Sequence, residues 1–286
     1  MPSDKNTIPA IFLNPNFSVV TLRKHLAENN VDTFVNLHSY LKAILSCIDH
    51  NKHHREFDEI SDEMFKKSTE RWQEMMSFAF QQSTRYRLQQ KPSPTQALKS
   101  GSSLKLTDLQ QKCNELLDGS IEKLLIAFYT YVPPVRADHY ATEILKFGEI
   151  PSQPNYIFFS DSKAYLKITD FKTAAIYKSI DYDLPSELHT QLSLSLKSTP
   201  RKYLFTSESG KPFTRDSFSK WASMKLLHTF KKELTLTMFR HIYIASLDLN
   251  SSPEILYDIS RKMGHSLTQQ MLYNWKEAPN KMLDED

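Results

Sequence analysis

One stretch alone in this chain reads as β-structure: NYIFFSDSKAYLKITDFKTAAIYKSIDYDLP, residues 155–185. In AYLKIT, Ala164, Leu166 and Ile168 share one face and Tyr165 and Lys167 the other, the period of two that marks a half-buried strand. Asp161-Ser162 and the segment Thr169–Thr173 supply turns, so a small antiparallel meander is expected. Elsewhere apolar residues recur at helical intervals. Only five glycines in 286 residues, with abundant Lys, Gln, Glu and Leu, favour helix as well. The expected fold class is mainly α with a small antiparallel β-sheet (α+β).

After a loose opening of about twenty residues, VVTLRKHLAENN, VDTFVNLHSYLKAILSCIDH and SDEMFKKSTERWQEMMSFAFQQSTRYRL each carry a helical pattern. In the second, Phe34, Leu37, Leu41, Ile44 and Leu45 form one stripe. QQKPSPTQALKSGSS then breaks the periodicity with Pro92, Pro94 and Gly101 and reads as a linker. The expected division is a helical domain over 1–90, a linker over 91–105 and a second domain over 106–286. In the latter, two helices should hinge at Asp118-Gly119, and helices should resume after the sheet. Ser251 with Glu254 and Pro253, and Ser266 with Gln269, carry the signatures of helix starts. Gly264 suits a helix end.

Composition bounds the partners only loosely. A net charge of +3 permits nucleic acid without demanding it. Cys47 and Cys113 lie far apart without metal-ligand spacing and read as reduced thiols, which predicts an intracellular protein. No apolar run approaches a membrane span, and MPSDKNTIPA lacks the apolar core of a signal peptide. His50, His53 and His54 in HNKHHREF fit a solvated helix end better than a metal site. Arg85–Lys91 and Lys225–Glu233 suit contact with a nucleic-acid backbone or ordinary solvated faces, and the solvated reading is the default.

Five residues could carry chemistry, and each has an ordinary explanation when taken singly. Arg240 lies within an apolar helical stretch, where a buried guanidinium needs an anion and an internal salt bridge is the usual one. Arg136 follows the stiff pair Pro133-Pro134 and reads as a loop arginine. Lys172 sits at a β-turn, where a solvated lysine is common. His265 could bond a nearby backbone group, and Tyr273 in MLYNW could bury its ring on an apolar face.

Their order is more specific than any of them. PPVRADHY with Arg136, FKTAAIYKSIDYDLP with Lys172, FRHIYIASL with Arg240, and MGHSLTQQMLYNW with His265 and Tyr273 follow one another over residues 133–275. This series resembles the tyrosine recombinase (integrase) family, most closely in the form found in integrases of large DNA viruses, virophages and related mobile elements. The helical N-terminal part is similar to that family's core-binding domain in layout only.

The resemblance implies site-specific cleavage and rejoining of DNA strands through a covalent 3′-phosphotyrosine. Tyr273 would be the nucleophile and Lys172 the general acid for the leaving 5′ oxygen. Arg136, Arg240 and His265 would be donors to the phosphate oxygens. It implies no cofactor and no metal, double-stranded DNA as partner and a homotetramer on paired sites. It also implies a location in a nucleus or viral replication compartment if the source is a eukaryotic virus or element, and otherwise in cytoplasm. A type IB topoisomerase-like or junction-resolving enzyme, or an inactive DNA-binding protein of the same fold, are the alternatives. One position departs from the pattern. Three residues before Arg240, where the family often has histidine or its topoisomerase relatives lysine, stands Thr237, a poor proton acceptor. His241 projects about 100° around the helix from Arg240 and reads as structural.

Overall fold

The computed structural model of the chain describes residues 8–29, 33–51, 57, 60–89, 99, 101, 103–248 and 251–274. These fall into two compact units, Met1–Gln89 and Gln90–Asp286. Most of the stretch read as a linker, together with His53, His54 and the acidic end of the chain, lies outside the described residues.

The first unit is helical: α1 (Ile8–Leu13), α2 (Pro15–Glu28), α3 (Phe34–Asn51) and α4 (Asp62–Leu88). The stripe on α3 does what its spacing requires. Leu37 and Leu41 are buried, and Phe34, Ile44 and Leu45 pack beside them against α4. Trp72 on α4 is fully buried, and its indole N–H donates to the Phe12 carbonyl at 2.9 Å. The Ser68 hydroxyl donates to the same oxygen at 2.7 Å, so a carbonyl at the buried end of one helix is satisfied by side chains of another.

The second unit is built around α6 (Ile121–Thr130), which follows α5 (Leu106–Glu115). Every residue of α6 from Lys123 to Thr130 is buried. An apolar helix of this kind needs neighbours all round, and α5, α8 (Ser186–Ser198), α9 (Arg215–Phe230) and α10 (Leu236–Ala245) supply them. The one charge among these residues, Lys123, is paired with Asp118 at 2.6 Å.

The sheet corrects the sequence reading in one respect. It has four strands in the order β1 (Glu143–Leu145), β2 (Asn155–Phe159), β3 (Ala164–Ile168), β4 (Ile180–Asp183). The expected antiparallel meander is β2-β3-β4, but β1 joins β2 in parallel, so the sheet is mixed. A three-residue strand is too short to display an alternating pattern, and Glu143 within it is a buried acid. That carboxylate is held by Lys202 at 3.0 Å and by the Ser152 N–H and hydroxyl.

Between β3 and β4 the chain inserts a single-turn helix, α7 (Ala174–Tyr177), so Lys172 lies on the turn that enters it. The last two helices are α11 (Pro253–Lys262) and α12 (Leu267–Tyr273). Ser252, not Ser251, caps α11 by accepting from the Ile255 N–H. Adjacent serines are indistinguishable to a capping pattern, and the backbone geometry selects between them. Among the described residues no helix is long and apolar enough to cross a membrane.

Candidate active site

Arg240 is the largest polar side chain in the core and is 0 % exposed. It sits on α10, which packs on α6 and α12. One guanidinium nitrogen donates to the Pro134 carbonyl at 2.7 Å and to the Met263 carbonyl at 3.2 Å. Nε and the other terminal nitrogen are buried without a hydrogen-bond partner. Among the described residues no carboxylate lies within ion-pair distance of it, so the ordinary expectation of an internal salt bridge is not met. Burial pushes this guanidinium down to about 10, against the opposing fields of Tyr273 and Asp138. A buried fork with unused donors is costly unless an anion completes it.

The carbonyls that hold Arg240 belong to the two loops bearing the other candidates. Pro134 is in the segment that follows α6, where Pro133-Pro134 restrict the chain and Arg136 is half-buried. The Tyr129 hydroxyl donates to the Arg136 carbonyl at 2.6 Å, and the Arg136 N–H donates to Asp138 Oδ2 at 3.2 Å. Met263 begins the turn between α11 and α12. Gly264 there has φ +65°, the left-handed conformation that ends α11 and returns the chain. An added Cβ at Gly264 would stand 3.0 Å from the Phe171 ring and 3.1 Å from Ile180. Gly264→Ala therefore combines backbone strain with a clash and should destabilise the protein by about 2–3 kcal/mol in urea titrations. A change below about 0.5 kcal/mol would contradict this packing.

His265 follows, 3 % exposed. Its Nδ1 faces the Ser266 carbonyl at 3.1 Å, so that nitrogen carries the proton. Nε2 is buried without a partner. Burial, then the charges of Arg240 and Arg136, push the imidazole down to about 4, so at neutral pH Nε2 is a bare lone pair. Ser266 caps α12 through the Gln269 N–H, as its spacing predicts. Two turns on, Tyr273 lies with its ring 5.5 Å from His265 in a stacked arrangement and 5.3 Å from the Arg240 guanidinium carbon. Burial alone would raise the phenol's pKa. The charges of Arg240 and then Arg136 outweigh it and leave the phenol below its usual value.

Of the five sequence-predicted residues, Arg136, Arg240, His265 and Tyr273 thus converge. For Lys172 the backbone converges: the Thr173 hydroxyl donates to the Gly264 carbonyl at 2.6 Å, and Phe171 packs on the same glycine. The Lys172 side chain itself is exposed. Thr237 is also exposed, on the outer face of α10. His241, structural by helical geometry, also lies against Tyr273. Its Nδ1 donates to the Tyr273 carbonyl at 2.9 Å, and the two rings lie 4.5 Å apart. The only sequence signal was adjacency to Arg240, which helical geometry argued against; α12 crosses α10 where it meets both residues. Among the described residues no cluster of His, Cys, Asp or Glu is able to hold a metal ion.

Two buried histidines, His139 and His265, and the half-buried His241 also predict acid lability. Burial pushes His139 down to about 3 and is the largest cause of the fall of His241 and His265 to about 4. The unfolded chain takes up protons near pH 6.5, while the folded one stays neutral until these lower values. Their stabilising contribution is complete above about pH 6.5 and is lost as pH falls toward 4, by up to about 1.4 kcal/mol per pH unit for each ring. Denaturation between pH 7 and 4.5 should show that slope, and His139→Gln should remove one proton's share. An unchanged slope in the variant would contradict it.

No family model and no curated protein matches the chain. Solved structures similar to it include two recombinases. One is a crystal structure of XerA recombinase, with 14 % identity, a TM-score of 0.43 and coverage of 93 % of this chain and 92 % of that one. The other is XerH site-specific recombinase bound to difH substrate in a pre-cleavage complex, with 14 % identity, a TM-score of 0.41 and coverage of 87 % and 69 %.

Proposed function

We propose that this protein is a DNA strand transferase of the tyrosine recombinase type. The carrying observation is the phenol of Tyr273 beside a wholly buried guanidinium whose remaining donors have no partner. A phosphate in that position satisfies Arg240 and brings a phosphorus atom to the phenol. The resemblance of the ordered motifs supplies the substrate class, double-stranded DNA.

The reaction is an exchange of esters. The Tyr273 oxygen attacks phosphorus, the bond from phosphorus to the 5′ oxygen breaks, and a 3′-phosphotyrosine replaces the phosphodiester. Arg136 and Arg240 bind the non-bridging oxygens, where negative charge grows in the transition state. Lys172, on its turn beside Gly264, reaches in to protonate the leaving 5′ oxygen. The phenol's own proton goes to His265 Nε2, which fills the place left by Thr237. The imidazolium then donates to the phosphate, so the acceptor becomes a fourth donor. Reversal with a different 5′ hydroxyl rejoins strands in a new order and needs no nucleotide energy.

The helical unit of residues 1–89 serves as a second DNA-binding body, and paired sites require a homotetramer. Duplex DNA nicked just beyond the cleavage point tests the reading, because loss of the short downstream fragment that carries the 5′ hydroxyl traps the covalent complex. The expected result is an SDS-stable protein–DNA adduct. Tight DNA binding with no adduct on any nicked duplex library would overturn it.

A further inference from the structure

Arg136 and Lys172 lie on separate loops, and the residues two positions from each, Asp138 and Asp170, are bridged by one side chain. Arg215, the first residue of α9, pairs one terminal nitrogen with Asp138 Oδ1 and places the other 3.5 Å from Asp170 Oδ2. Its guanidinium carbon lies 5.3 Å from the Tyr140 ring centroid, and the Tyr140 hydroxyl donates to the same Asp170 oxygen. Beneath this fork lies Asn155, at the start of β2 and 1 % exposed. Its amide nitrogen donates to the Asp138 carbonyl at 2.8 Å and the Asp170 carbonyl at 3.0 Å. Its oxygen accepts from the Thr169 and Asp170 N–H groups at 3.0 and 2.8 Å. Four bonds from one amide tie the two loops backbone to backbone.

We propose that Arg215 is a positioning residue, which holds the Arg136 loop and the Lys172 turn in register and keeps Asp138 away from the phosphate-binding arginines. This rests on the functional reading above. Asp138 has 3 % of its side chain exposed and faces a crowd of cations, with Arg136 and Arg240 both acting on it. Without Arg215 its carboxylate is free to turn to Arg136 and occupy donors meant for DNA. Simple stability does not call for such a device, because a buried ion pair is a weak stabiliser compared with apolar packing of equal volume. What a two-pronged planar fork adds is geometry: it fixes two carboxylates relative to each other, which an ammonium does not.

The test uses the full chain and nicked duplex DNA in single-turnover cleavage, with two leaving groups: the ordinary 5′ oxygen and a 5′-bridging sulfur, which departs without protonation. Arg215→Ala should cut the rate on ordinary DNA by about 10–100-fold, the scale of an ångström misplacement. The deficit should shrink several-fold on the sulfur substrate, because the Lys172 turn no longer matters there. Arg215→Lys, able to meet only one carboxylate, should fall between Ala and wild type. The salt dependence of DNA binding should stay unchanged, since Arg215 is engaged with protein carboxylates. A wild-type rate in Arg215→Ala, equal deficits on both substrates, or a salt slope reduced by one phosphate contact would each overturn the proposal. Absence of adduct in the wild-type protein would instead defeat the functional reading, and this inference with it.

Discussion

Tyr273→Phe should abolish adduct formation on nicked DNA, by at least about 10⁴-fold, while DNA affinity should change less than threefold. Loss of one hydroxyl leaves the ring stacked on His265 and beneath Arg240, so the fold and the phosphate site persist. Nothing else in the cluster can take over. His265 and His241 are the neighbouring nucleophile candidates, but a phosphohistidine would be acid-labile and distinguishable from the acid-stable phosphotyrosine. Residual adduct in Tyr273→Phe would move the nucleophile elsewhere and leave the electrostatics of this phenol without a purpose.

Arg240→Lys should lower cleavage by about 10²–10³-fold, the cost of losing a preorganised donor to a transition-state oxyanion. Charge alone does not rescue it. The guanidinium spans from the Pro134 and Met263 carbonyls on one side to the free donors on the other. An ammonium on a shorter, flexible stem cannot reach both, and burial drives it toward its neutral form. DNA affinity should weaken less than tenfold, because a duplex-binding surface spreads its affinity over many phosphates. Single-turnover rates against protein concentration separate the two effects. A rate within threefold of wild type would mean that Arg240 is structural, an internal ligand for two carbonyls and no more.

The helices and the single sheet region were legible because both are written in local periodicity. The apolar stripe of α3, the alternation in β3 and the cap at Ser266 each depend on residues within a few positions. β1 and α7 were not, because three- and four-residue elements span barely one period of the pattern that would reveal them. β1 also meets a part of the chain far along in sequence, where the exposed Lys202 pairs with the buried Glu143. At the candidate site, the order of the motifs singled out Arg136, Arg240, His265 and Tyr273, which the fold brings near one another, but no local pattern stated that Arg240 would lack a carboxylate partner. That outcome depends on which loops fold over α10. Asn155 and Arg215 were invisible for the same reason. One is a polar residue opening a strand, the other a basic residue opening a helix, and their roles exist only between loops far apart in sequence. The bond from His241 to the Tyr273 carbonyl suits the structural role expected of it, but the contact was not legible, because helical angle measures one helix and Tyr273 arrives on another.

Digestion of the trapped complex and mass analysis of the DNA-bearing peptide tests the central claim most directly. The prediction is a nucleotide esterified through its 3′ phosphate to Tyr273, with a free 5′ hydroxyl on the departed strand. Attachment at another residue, or a 5′ phosphate on the protein, would contradict it.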